Sequence, residues 1–312
     1  MTVGLEQAFV EHRRFLWSLT YRMTGNAADA DEIVQDTFVR AMEHSPARTE
    51  SLRPWLVKVA INLARDALRK RRRREYVGPW LPSPIESEHE QPPSHEPRME
   101  DGRTLEDRYD LIESVSFAFL LALERLTPTQ RAVLLLRDVF DYSVKETADA
   151  LDLSESNVKT THHRARQAMA DYHRDRRPVT ADLQADTRRA LTRFLQCLQA
   201  NDVPGVEALL AEDVRTLTDG GGEFRAALRP IVGRDKVTRF FFAVSRVRQQ
   251  HAVQPLSLNA LPAALVDVAP GPDRVAPRTT LQIELDAAGR IARIYSVSAT
   301  RKLAALRHVP AR

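Results

Sequence analysis

Three groups of side chains in this 312-residue sequence have the types and spacing to bind a charged or hydrogen-bonding partner. The first lies near the middle of the chain: Ser156, Asn157, Lys159, Thr160, Thr161, His163, Arg164 and Gln167. Asn, Thr and Arg can read base edges, while Lys, Ser and Arg can also hold phosphates. The second is the unbroken basic run Arg69, Lys70, Arg71, Arg72, Arg73, Arg74, costly to bury and useful beside a polyanion. The third is Asp31, Glu32, Gln35 and Asp36, with Arg40, on the polar side of a helical pattern. Each has a plainer reading: a helical hairpin used for packing, a solvated basic patch, a solvated helix face.

These groups need elements to position them. Residues 127–169 read as helix, turn, helix, short turn, helix. Thr127–Pro128 open the first, Ser143 with Glu146 makes a capping box for the second, and Ser154 or Ser156 caps the last. Val158, Ala165 and Met169 are expected to face inward, leaving the polar residues for a DNA groove. Upstream, helices are expected over 5–24 (stopped by Gly25–Asn26), from Asp29 or Asp31 with Ile33, Val34, Phe38 and Met42 on one face, and from Leu52. The last would bury Trp55, Leu56, Val59, Ala60, Leu63 and Leu68 and carry the basic run at its end. An apolar helix is expected over 109–125.

Between these helical parts, residues 76–110 carry 3 Lys/Arg against 9 Asp/Glu and several prolines, the signature of a stiffened acidic connector. Its apolar residues Tyr76, Val77, Trp80 and Leu81 are unusual in a tether, and Trp80 and Leu81 could anchor it. His89, His95 and His162–His163 lack ligand spacing, so no metal site is expected, and no cofactor. The single cysteine, Cys197, reads as apolar filling and excludes an internal disulfide. Without a signal-like N-terminus or an 18-residue apolar run, a cytoplasmic protein without a membrane partner is expected.

The last third reads as α+β after a short hinge at 179–184. A helix is expected over 185–200, another to about Leu210, and a third after Gly233. Strands are expected at Val214–Thr218, Ala263–Val268, Arg278–Leu285 and Ile291–Val297, in a curved, mostly antiparallel sheet. DGGG at 219–222 permits a tight turn or close backbone approach. An enzyme would need a buried acid or base, and Asp213, Asp219 and His251 form no telling set, so no catalysis is expected.

Residues 1–178 resemble a bacterial extracytoplasmic-function sigma factor. The resemblance rests on DADEIVQDTFVRA at 29–41, RPWLVKVAINLARDALRKRRRR at 53–74, and LTPTQRAVLLLRDVFDYSVKETADALDLSESNVKTTHHRARQAM at 126–169. It implies two all-α modules: region 2 over 1–75 and helix-turn-helix region 4 over 109–178, joined by a linker over 76–108. Core RNA polymerase would be met by Asp31, Glu32, Ile33, Gln35, Asp36 and Phe38. The promoter −10 element would be bound within Arg48 to Arg74, through Arg48, Arg53, Lys58, Asn62, Arg65, Arg69, Lys70 and Arg71. The −35 element would be read by Ser156, Asn157, Lys159, Thr160, Thr161, His163 and Arg164.

Residues 185–305 resemble the SnoaL-like cone fold. The combination is similar to one subgroup of these sigma factors, carried by YVGPWLPSP at 76–84, intact DGGG, and ATRKLAAL at 299–306 in place of an NPDKL-like end. The subgroup implies that the fused domain contacts the linker and modulates activity through Trp80, Leu81, Pro82, Asp219, Gly220, Gly221 and Gly222. A small ligand or protein regulator at that domain remains an open partner. Two other readings stand beside this one: a DNA-binding regulator that works without polymerase, and an enzyme fused to a DNA-binding module.

Overall fold

A computed structural model describes residues 2–43, 52–73, 76–86, 113–247, 251–269 and 274–306. The chain divides into two compact units, Met1–Glu75 with Gln91–Arg177, and Tyr76–Glu90 with Pro178–Arg312.

In the first unit, α1 (Thr2–Thr24) ends at Gly25, whose φ of 66° turns the backbone out of the helix. The Asn26 side chain accepts from the Ala28 N–H at 3.0 Å and starts α2 (Ala27–Glu43) two residues before the expected aspartate. Leu16, Leu19, Met23, Ile33, Val34 and Phe38 are buried, but Met42 is 62% exposed, beyond the end of the packed stripe. In α3 (Leu52–Arg73) the buried set is Leu56, Val57, Ala60, Ile61, Ala64 and Leu68, with Trp55, Val59 and Leu63 only half-buried. The stripe is broader than expected because α3 packs on α1 and α2 and also on α5 and α6.

The expected helix over 109–125 is, in its described part, a 3-10 turn (Glu113–Val115) followed by α4 (Phe117–Leu123), which the Ser116 hydroxyl caps. Next come α5 (Pro128–Leu134), a π turn (Leu135–Val139), α6 (Val144–Leu151), α7 (Glu155–Ala168) and α8 (Ala170–Asp175). Reciprocal capping boxes at Thr127/Gln130 and Ser143/Glu146 fix the starts of α5 and α6, and Ser154 caps α7.

The second unit holds α9 (Ala181–Gln199), α10 (Val203–Leu209), α11 (Arg234–Val247), α12 (Thr300–Leu303) and a six-stranded sheet. Its strands are β1 (Leu210–Asp219), β2 (Ile231–Val232), β3 (His251–Leu258), β4 (Leu261–Val268), β5 (Arg278–Leu285) and β6 (Ile291–Val297). The order is β2-β1-β6-β5-β4-β3; β1–β6 is parallel and the other pairings antiparallel. Phe194, Cys197, Val206, Val237, Phe241, Ile283 and Ile294 join helices and sheet in one core. Full burial of such side chains contributes about 1.5–3 kcal/mol each. The expected hinge at 179–184 is shorter than anticipated, since Thr180 already caps α9.

Candidate functional site

α7 presents the polar set as its spacing implies. Ser156, Asn157, Lys159, Thr160, His163 and Arg164 are exposed and Thr161 is half-buried, over a base of buried Val158 and Ala165. Asn157 Oδ1 accepts from the Thr161 hydroxyl at 3.1 Å, so two of the candidate base readers are linked one turn apart. His162 turns inward to Asp138, with Nε2 to Oδ1 at 2.8 Å, and this pair belongs to the packing of the hairpin.

On α2, Asp31, Glu32, Gln35 and Asp36 are exposed in one stretch, while Ile33 and Phe38 are buried beneath them. An acidic face over an apolar base suits a basic protein partner. On α3, Arg69 and Lys70 are exposed, and Arg53 and Asn62 are half-buried, with the Arg53 guanidinium 4.6 Å from the Phe15 ring centre. Arg48 and the end of the basic run lie outside the described residues.

Three other basic residues of α3, Lys58, Arg65 and Arg71, reach the second helical module. Lys58 pairs with Asp152 at 2.6 Å, Arg65 donates to the Thr129 hydroxyl at 3.1 Å, and Arg71 donates to both oxygens of Glu124 at 2.6 Å. Glu124 also accepts from Arg131 at 2.9 Å, while Arg131, itself buried, donates to the Met23 and Leu123 carbonyls at 2.7 Å. Burial pushes the Glu124 carboxyl up, but Arg131 and Arg71 outweigh it and hold the group below its usual range.

The second unit contains a different kind of site. Asp219, at the end of β1, accepts from the Tyr76 hydroxyl at 2.6 Å, the Leu81 N–H at 2.8 Å and the Lys302 ammonium at 2.5 Å. Lys302 also donates to the Leu81 carbonyl at 2.5 Å, and its ammonium sits 4.5 Å from the Trp80 ring centre and 4.8 Å from that of Tyr76. A buried charge pair is stable only when its remaining valences are filled. Here a carboxylate, a carbonyl and two aromatic faces surround one ammonium.

DGGG fits this clasp sterically. A side chain at Gly220 would stand 2.6 Å from the Phe224 carbonyl oxygen. Gly221 has φ +61°, and a Cβ there would lie 2.8 Å from that of Ala299. Leu81, Pro82, Ser83, Pro84 and Ile85 are buried. Ile85 and Asn259 exchange bonds at 3.0 and 2.9 Å, and Glu86 bridges to Leu258.

The residues assigned to the linker contact therefore come together. Sequence reasoning left out Lys302, Tyr76 and Asn259. The lysine retained in ATRKLAAL was the available signal for the first.

On the sheet face that carries α9 and α11 lies a cavity of 1290 Å³. Thr218, one residue before Asp219, lines it. Of the residues considered for catalysis, Asp213 is exposed, Asp219 is held in the clasp, and His251 opens β3.

Comparison with known proteins agrees with the helical architecture. The model for sigma-70 region 2 matches residues 8–74, and that for sigma-70 region 4 matches residues 116–169. The chain is similar to the ECF RNA polymerase sigma factor SigJ of Mycobacterium tuberculosis, at 31% identity over 239 residues, 74% of this chain and 70% of SigJ. It is also similar to SigG of the same organism, at 33% identity over 237 residues, and spans 62% of that protein. The crystal structure of Mycobacterium tuberculosis SigJ superposes with a TM-score of 0.69 at 25% identity, covering 96% of this chain and 98% of that one. The chain belongs to the extracytoplasmic-function RNA polymerase sigma factors, the subunits that bind core polymerase and direct it to promoters.

Proposed function

We propose that this sigma factor joins core polymerase through the exposed face of α2, engages the −10 element through α3 and the −35 element through α7, and is modulated by its own C-terminal unit. The observation that carries the modulatory part is the buried Asp219–Lys302 pair closed on Tyr76, Trp80 and Leu81. Those residues begin the segment between the two sigma regions, so a hold on them limits how that segment can extend. α3 residues suited to phosphate contact, Lys58, Arg65 and Arg71, have partners within the helical unit, and promoter engagement must exchange these for DNA.

We read the C-terminal unit as a SnoaL-like cone fold used for regulation. Helices packed on one sheet face beside a cavity support that reading.

The test is reconstitution with core polymerase on a promoter library, comparing the full chain with Asp219→Ala. The expected result is initiation from a defined promoter class, at a level that changes when the clasp is opened. Absence of promoter-specific initiation in both proteins would refute the sigma assignment of these surfaces. Equal output from both would refute modulation through the clasp alone.

A further inference from the structure

We propose that the cavity in the second unit binds a small amphipathic carboxylate and that occupancy is passed to the clasp along β1. The second half of this rests on the modulatory reading above. At 1290 Å³ the space exceeds the volume that small-molecule sites usually occupy, about 300–1,000 Å³, so a ligand of that class fits with room to spare. Its inner wall is apolar, built by Leu191, Leu195, Phe241, Val266 and Leu281, which suits a hydrocarbon or aromatic body.

Charge chooses the head group. The titratable side chains lining the cavity, among the described residues, are Arg188, Arg225 and Arg246, and all three residues are exposed, which sets them at the rim. No acidic side chain accompanies them among the described lining residues. A cationic ligand is repelled by such a rim and a neutral one makes no use of it. A carboxylate meets guanidinium in a forked, charge-assisted geometry while its body stays in the apolar interior.

A second polar group on the ligand has a place too. Thr218 and Ser296 are register partners on β1 and β6, and Thr279 shares a 2.9 Å hydroxyl contact with Ser298. All four line the cavity.

The route to the clasp is the alternation of a strand. Thr218 faces the cavity and Asp219 faces Tyr76, Leu81 and Lys302. The Ser298 N–H also donates to the Asp219 carbonyl at 2.8 Å, so a cavity-lining residue is bonded to the clasp residue itself. A ligand that moves the end of β1 or β6 acts on the hold over Tyr76–Leu81.

Calorimetric titration of the full chain with decanoate, 2-naphthoate and decanol tests binding. Saturable one-to-one binding of at least one carboxylate is expected, with decanol weaker. The exposed double substitution Arg188→Gln/Arg246→Gln is expected to weaken carboxylate binding about tenfold without affecting decanol. Ala264→Phe, which fills the cavity, is expected to abolish binding of all three, with circular dichroism reporting that the fold is kept. No binding of any probe overturns the site, and equal binding of decanoate and decanol, indifferent to the arginine changes, overturns the head-group assignment. Hydrogen exchange at residues 76–86 tests the coupling: decanoate is expected to change it in the parent and not in the double variant. Binding with unchanged exchange overturns the coupling alone, and an effect of Asp219→Ala on transcription stands or falls separately.

Discussion

Asp219 accepts from three donors drawn from segments that sequence separation keeps far apart: Tyr76, Leu81 and Lys302. Its side chain is fully buried and that of Lys302 is 5% exposed. Removing one member of such a pair leaves the other charged and unpaired, so Asp219→Ala is expected to destabilise the second unit by about 3–5 kcal/mol. The double variant with Lys302→Met is expected to recover part of that loss. Chemical denaturation of the four proteins in a double-mutant cycle measures the coupling, and additive effects would contradict it. Gly221→Ala forces a side chain into a left-handed backbone and against Ala299, an expected cost on the order of 1–2 kcal/mol from the backbone alone. Thermal unfolding beside Gly289→Ala, whose open turn offers no steric contact, separates the clash from the conformational cost. DGGG and Trp80–Leu81 were legible because glycines in series and an aromatic in a proline-rich segment are locally odd. Lys302 was legible only as the retained lysine of a divergent motif, with no local sign that it is buried.

Helices α2 and α7 each show a polar face over a buried base, and each face can be altered without touching a core. Asp31→Lys/Asp36→Lys is expected to abolish core-polymerase binding while leaving the melting temperature within a degree or two, since exposed substitutions rarely exceed about 0.5 kcal/mol. Fluorescence anisotropy with labelled polymerase reads the loss, and unchanged affinity would remove α2 from the interface. Asn157→Ala or Arg164→Ala is expected to cost about 1–3 kcal/mol at single positions of the −35 element, measured by competition among variant duplexes. The helical elements were readable from period and caps, since Thr127, Ser143 and Ser154 stand where helices begin. β3 was missed because Pro255 interrupts its pattern; it is an edge strand, where a missing donor is tolerated. The width of the α3 stripe was illegible for another reason: its second buried side is covered by α5 and α6, contacts that no local window contains.

At the scale of the whole molecule, the first unit is tied through Glu124, which joins Arg71 of α3 to Arg131 of α5. Its carboxyl is held below the ordinary value, so its contribution is fully present above that value and is lost as pH falls through the lower, folded one. Unfolding followed from about pH 7 to about pH 3 is expected to show a loss of stability at the acid end that Glu124→Gln flattens. An identical acid dependence in both proteins would assign the loss to other carboxylates. The clasp of the second unit has a temporal consequence. Synthesis runs from the N-terminus, so Tyr76 and Leu81 leave the ribosome long before Lys302 is made. At about 5–20 residues per second, the interval is roughly 10–40 s. In its later part, once the second sigma region has also been made, both regions are present while the segment that follows α3 is unfastened, so every newly made molecule passes through an unlatched infancy that ends when its lysine arrives.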